Sequence, residues 1–207
     1  PIYLHVHAPQ FAFRSLGMDL ELIEWLNRRA FPEEAKYRDL AYASAAYRAF
    51  VDDLVRGATT RACVYATLHV PATLALMDAL DESGLVTLVG KVNMDRNSPP
   101  DLTEEGAAAA LADTEAWIRA CAARYGRTAP ILTPRFIPSC SDELMYGLAD
   151  LRQRYGLPVQ SHLSENPDEC AWVRRLCPNA DGYADAYARF GLMDGEAPVI
   201  MAHCVYS

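Results

Sequence analysis

The sequence predicts an α/β chain wound as part of a (β/α)8 barrel, and three observations carry that prediction. Short apolar, β-branched runs alternate strictly with helical segments along 207 residues, an order that implies parallel strands joined by right-handed crossovers. Several of these runs end in polar, chemistry-bearing side chains: His5 and His7, Arg135, His162 and His203. A barrel gathers such strand ends around one mouth, whereas an open sheet spreads them along an edge except at its switch point. Finally, an eight-stranded barrel takes about 250 residues. This chain shows six strands and is expected to be incomplete, with 1–207 read as a partial catalytic domain that lacks strands seven and eight.

The first strand lies in 2–10, IYLHVHAPQ, and breaks at Pro9. Apolar residues at 20, 22, 23 and 26 place a helix over 20–29 that the Phe31-Pro32 step should stop. A second helix spans 38–56, with Gly57 in the position of a C′ residue, and 59–68 reads as a buried strand. Residues 71–83 are helical up to Gly84, 85–92 form a strand, and 95–100 form a polar loop. From Thr103 and Glu105 to Tyr125 the alanine-rich run predicts the longest helix, with acidic residues at its positive end. Strand 131–136 follows, then a helix capped by Ser141 or Asp142 that runs to Tyr155 and ends at Gly156. Val159–Leu163 is a strand, Pro167–Leu176 and 183–190 are helices, and 199–202 is the last strand.

Composition excludes several classes. The net charge is −8 and no basic run is present, which argues against a nucleic-acid partner. No apolar stretch reaches the roughly 18 residues of a membrane span, and no basic leader precedes an apolar segment. The six cysteines, at 63, 121, 140, 170, 177 and 204, include no C-x-x-C pair and read as reduced, mostly buried thiols of a cytoplasmic protein.

The chemistry concentrates at three strand ends. Side chains at i and i+2 of a strand share a face, so His5 and His7 can reach one metal ion. QSHLSEN delivers His162 at a strand end and Glu165 three residues later, a further ligand and a carboxylate able to move protons. MAHCVYS supplies His203, which is either another ligand or a donor to the attacking hydroxide or the substrate.

His-x-His, His-x-x-Glu and a further His at successive strand ends resemble the amidohydrolase superfamily, metal hydrolases on a (β/α)8 TIM-type barrel. HVHAPQ, LIEWLNRRAFPEE, ATLH, GKVNMDRNSP, LTPRFIPSCS, QSHLSEN and MAHCVYS, in that order, are similar to the guanine deaminase branch. The resemblance implies that His5, His7 and His162 bind a catalytic zinc, although iron(II) suits the same ligands. It implies that Glu165 is the proton shuttle and that His203 lies beside the metal-bound water and the substrate. It places Gln10 on the purine edge, Arg135 in polar contact with the purine and Phe136 against its flat ring. The implied reaction is hydrolytic deamination of guanine to xanthine and ammonia, in purine salvage or catabolism, by a homodimer. The family also draws a ligand aspartate from its eighth strand and folds its terminal regions into a small β-sandwich, neither of which these residues supply. The piece alone is not expected to be active. Where the family usually has Gly after the sixth-strand His, this chain has Cys204.

Two rival readings stay open. Another amidohydrolase, acting on a pterin, a triazine or a different aminopurine, would keep the histidines and Glu165 without needing Gln10, Arg135 and Phe136 together. A non-catalytic barrel fragment would bind partners without turnover. The cytidine-deaminase type is excluded, because H-x-E and P-C-x-x-C are absent. His69 is read as structural or as part of the rim, and the tyrosines at 37, 42 and 47 as helix packing.

Overall fold

Every strand ladder is parallel, as alternation with helices requires, since a hairpin turn cannot join parallel neighbours. The computed structural model describes residues 1–207, which form two compact units: Pro1–Lys91 with Ala116–Pro130, and Val92–Glu115 with Ile131–Ser207. In chain order the strands are β1 (Ile2–His7), β2 (Arg61–Tyr65), β3 (Val86–Gly90), β4 (Val92–Asn93), β5 (Thr128–Pro130), β6 (Thr133–Pro134), β7 (Val159–Leu163) and β8 (Val199–His203). The helices are α1 (Leu22–Trp25), α2 (Phe31–Glu34), α3 (Leu40–Arg56), α4 (Val70–Glu82), α5 (Ala107–Cys121), α6 (Asp142–Tyr155), α7 (Pro167–Leu176) and α8 (Tyr183–Arg189).

In the first unit the sheet order is β1-β2-β3-β5. Its central strand β2 buries four of its five residues, the pattern of a strand covered on both faces. Helices α3 and α4 bury Tyr47, Phe50, Leu76, Met77 and Leu80, and each such side chain contributes about 1.5–3 kcal/mol of apolar burial. Asp81 Oδ1 accepts the amides of Gly126, Arg127 and Thr128 at 3.1, 2.7 and 2.9 Å, which fixes the start of β5. In the second unit β4 pairs with β6 and β7 with β8. A bridge between Leu132 and Val159 connects these two ladders. Helix α6 buries Leu144, Met145, Leu148 and Leu151 on one stripe.

The later elements match the sequence expectations closely. Ser141 Oγ caps α6 by accepting Leu144 N–H, and Gly156 closes the helix in the left-handed region at φ +63, where only glycine avoids a Cβ clash. The earlier ones need correction. Phe31-Pro32 does not stop the first helix. A π turn over Leu26–Ala30 widens the helical ladder just before Pro32, which has no N–H to give, and α2 continues from it. Gly57 is extended rather than left-handed. The longest helix is α3, at 17 residues, and not α5, at 15. Thr103 to Glu105 lie outside α5 because Glu104 turns to accept Met94 N–H at 2.9 Å and the Asn93 amide. The third expected strand is split, and the fourth, expected over 131–136, is reduced to β6, with β5 formed just before it. Lys91, fully buried, separates β3 from β4, and Pro130 and Pro134, without N–H donors, keep β5 and β6 short.

All six cysteines are free, four of them buried. No helix is long and apolar enough to cross a membrane. Tyr37 and Tyr47 are buried and pack together with ring centroids 4.8 Å apart, as helix packing requires.

Asp39 caps α3 by accepting the amides of Ala41 and Tyr42 at 2.8 and 3.3 Å. Asp39→Ala is expected to lower the unfolding free energy by about 1 kcal/mol, while Asp39→Asn, another good cap, keeps most of it. Urea denaturation of the two variants measures the difference.

Candidate active site

Each unit presents its chemistry at the C-terminal ends of its strands. In the first unit β1 pairs with β2 in a register that shifts between Tyr3 and Val6. His5, within the shifted stretch, and His7, just beyond it, share a face, as the i, i+2 spacing predicts. Their rings meet edge to face at 5.0 Å. Both lie on Tyr65 at the end of β2, with ring centroids 4.9 and 4.4 Å away. Pro9 then turns the chain into a 3-10 segment, Ala8–Phe13, which carries Gln10. The Gln10 amide donates to Glu34 Oε1 at 3.4 Å, so its own carbonyl oxygen points elsewhere and is kept as an acceptor. His69 sits just before α4 and gives it no side-chain cap. Burial, with Arg38 and Lys91 close by, lowers its pKa.

In the second unit β7 and β8 run in register, with His162 opposite Ala202 and Leu163 opposite His203. The two imidazoles stack, with centroids 5.4 Å apart. His162 Nδ1 lies 2.6 Å from the carbonyl oxygen of Arg135. A carbonyl only accepts, so Nδ1 carries the proton and the ring's lone pair is on Nε2, the tautomer of a histidine prepared to bind metal. His162, with its tautomer set, is chemically suited to bind a metal ion, as are two imidazoles on one strand face, which is what His5 and His7 provide in the first unit. Arg135 is buried, and Phe136 beside it meets the edge of Trp172 with centroids 6.4 Å apart.

Glu165 stands on the turn after β7, its Oε2 3.4 Å from His203 Nε2. In a solvated ion pair the histidine pKa would rise and the carboxyl pKa fall. Here burial reverses both. Desolvation, then the nearby Glu169 charge, pushes Glu165 up to about 7 against an opposing pull from Arg135, and desolvation lowers His203. The pair is thus poised to share one proton near neutral pH.

Sequence reasoning missed the residues that hold this turn. Glu169, completely buried, accepts the amides of Glu165 and Asn166 on Oε2, at 2.9 and 3.3 Å, and the Tyr183 hydroxyl on Oε1, at 2.6 Å. Asn166 and Glu169 form a capping box for α7, and the N-x-x-E spacing that signals it was there to be read. Tyr187, one helical turn after Tyr183, donates to the His162 carbonyl at 2.8 Å and shares a 2.7 Å hydrogen bond with Ser161 Oγ. Buried hydroxyls on α8 that serve another strand leave no local sequence signal.

The profile of the amidohydrolase family matches residues 2–207. The chain is 41% identical over 203 residues to a guanine deaminase of Dictyostelium discoideum, covering 98% of this chain and 44% of that protein. It is 37% identical over 206 residues to a guanine deaminase of Escherichia coli (strain K12), covering 98% and 45% respectively. Among solved structures it superposes on a guanine deaminase from C. acetobutylicum with guanine bound in the active site, with TM-score 0.96 and 47% identity over 99% of this chain and 48% of that one. The parallel α/β fold and the histidine-bearing strand ends define a member of a metal-hydrolase barrel class. The chain belongs to the amidohydrolase family, whose members are generally metal-dependent. Its fold is that of the family's barrel in incomplete form, and the chain spans less than half the length of the relatives it matches.

The poised pair gives opposite pH signatures. Between about 4.5 and about 7 the folded metal-free protein holds a proton on Glu165 that the unfolded chain has released, so this group makes stability fall as pH rises through that window. His203, lowered from 6.5, binds fewer protons when folded, so it makes stability rise with pH up to its unfolded value. Glu165→Gln removes the falling contribution alone. Its thermal midpoint is expected to climb more steeply with pH between 4.5 and 7 than that of the parent; parallel curves would mean that Glu165 titrates alike in both states.

Proposed function

We propose that this chain is part of the catalytic barrel of a guanine aminohydrolase, which converts guanine and water into xanthine and ammonia. The observation that supports the reading most is the half-buried Glu165 carboxyl beside His203, its pKa pushed up to about 7. A group near that value accepts and returns protons equally well at neutral pH. The high identity to a protein solved with guanine in its active site supports the choice of substrate.

His5, His7 and His162 would hold a zinc ion, and iron(II) suits the same nitrogens. Bound there, the metal would supply Lewis acidity and an acidified water. Glu165 takes one proton from the attacking water and gives it to the ring nitrogen beside C2. It then moves the hydroxyl proton of the tetrahedral adduct to the amino group, the C–N bond breaks, and ammonia leaves as the C2 carbonyl forms. His203, neutral at the working pH, holds the hydroxyl through that sequence. The Gln10 carbonyl and the Arg135 guanidinium match the donors and acceptors of the guanine edge, and Phe136 packs on the ring. A site built to pair that edge rejects purines that lack it, since its buried polar groups would be left without partners.

In the full-length enzyme an aspartate from the eighth strand completes the ligand set, strands seven and eight close the barrel, and a β-sandwich is built from the terminal regions. The resemblance further supports a cytoplasmic homodimer in purine salvage or catabolism, with neither a nucleic acid nor a membrane as partner.

Ammonia release from guanine by the full-length protein tests the reading, with Glu165→Gln and metal content measured alongside. The parent is expected to turn over guanine, and the variant to keep its metal and lose roughly 10²–10⁴ in kcat. Bound metal without guanine turnover would point to another aminoheterocycle, and absence of metal to a non-catalytic barrel.

A further inference from the structure

The turn that carries Glu165 follows a residue in a costly backbone conformation. Ser164, just before it, has a left-handed φ of +52 without being glycine. Side chains lacking a favourable local conformation of this kind are held by their surroundings. What holds this one comes from α7 and α8. Glu169 Oε2 takes the Glu165 and Asn166 amides, and Tyr183 donates to the other oxygen. Glu169 is fully buried and Tyr183 nearly so. Burial raises the tyrosine pKa far above its ordinary value, so the hydroxyl stays a donor. Tyr183 in turn stacks on Tyr187 with ring centroids 5.6 Å apart and planes 4° from parallel, and Tyr187 is anchored to the His162 carbonyl and to Ser161.

We propose that Glu169 and Tyr183 are positioning residues for the proton shuttle, a buried clamp that sets where the Glu165 backbone, and hence its carboxyl, stands beside His203. A capping box alone needs only Asn166 and Glu169. The additional bond to the Glu165 amide and the tyrosine on the second oxygen go beyond what helix capping requires. Tyr183 fixes the rotation of the Glu169 carboxylate, and that carboxylate fixes the turn. Neither residue touches the substrate or the reacting atoms. The clamp's catalytic consequence rests on the proposed function, whereas its structural consequence does not, so the two are tested separately.

Tyr183→Phe removes one hydroxyl and leaves the ring stacked. Hydrogen exchange in the metal-free full-length protein is expected to speed up about tenfold at the Glu165 and Asn166 amides while the β7 amides keep the parent's rates. In the metal-loaded enzyme kcat for guanine is expected to fall about 10- to 100-fold with KM within about twofold, since misplacing a proton donor affects the transition state more than binding. In the Glu165→Gln background the same substitution should change residual turnover by less than about twofold, because the positioned group is already gone. Glu169→Gln, which keeps one acceptor oxygen, should retain more activity than Glu169→Ala. Unchanged exchange at Glu165 and Asn166 would overturn the clamp. So would an undiminished kcat in an enzyme that does act on guanine, or equal losses in both backgrounds. An inactive parent with the expected exchange change would leave the clamp standing and overturn the substrate instead.

Discussion

The contact on which the second unit's chemistry depends is the 2.6 Å hydrogen bond between His162 Nδ1 and the backbone carbonyl of Arg135. A carbonyl oxygen has no proton, so this single contact decides the tautomer of the imidazole and leaves Nε2 as the basic nitrogen. It also ties two adjacent strand ends. The same carbonyl accepts from Ser161 Oγ at 3.2 Å, Ser161 also bonds the Pro134 carbonyl at 2.7 Å, and Tyr187 reaches both Ser161 and the His162 carbonyl. One backbone oxygen thus connects His162 to the segment that carries Arg135 and Phe136. The groups that orient the His162 ring are therefore main-chain atoms and buried hydroxyls with little freedom to move.

The second constraint is electrostatic. Glu165 and His203 face each other, yet burial keeps them from becoming a stable ion pair. Had the site been wetter, the carboxyl would have stayed ionised and the imidazole protonated, and neither would exchange protons readily at neutral pH. Arg135 pulls the carboxyl toward its charged form and Glu169 pushes it away. Desolvation decides the balance, so the proton affinity of the turn is a property of its packing, and substitutions that admit water reach it as surely as those that remove a charge.

Legibility in the sequence followed how local the physics was. The strand Val159–Leu163 and the helix Pro167–Leu176 were readable to the residue, and the cap at Ser141 to within one position, because each depends on hydrophobic period and on capping side chains within one turn. The i, i+2 placement of His5 and His7 was equally local. The failures came where distant partners decided. Nothing near Glu104 announces that it leaves its helix for Met94 N–H, and Pro32 misled because a π turn accommodated it. The clamp lay between these cases. Its Asn166–Glu169 half is a local motif, and its Tyr183 half is a tertiary contact that no window around Glu165 contains.

Backbone conformation at the strand ends follows the same logic. Ser164, His203 and Cys204 have φ of 52, 74 and 54, in a region that disfavours every side chain beyond glycine. All three lie where β7 and β8 end, beside the residues that carry the chemistry. Two hydrogen bonds hold the last pair against this cost: Cys204 N–H donates to the Leu163 carbonyl at 2.8 Å, and Val205 N–H to the Ser164 carbonyl at 3.0 Å. They carry the β7–β8 ladder one step past its regular end, which turns the chain sharply just beyond His203. The path aims the His203 side chain: strain of order 1 kcal/mol per residue is offset by ladder hydrogen bonds, and the imidazole meets the Glu165 carboxyl at 3.4 Å.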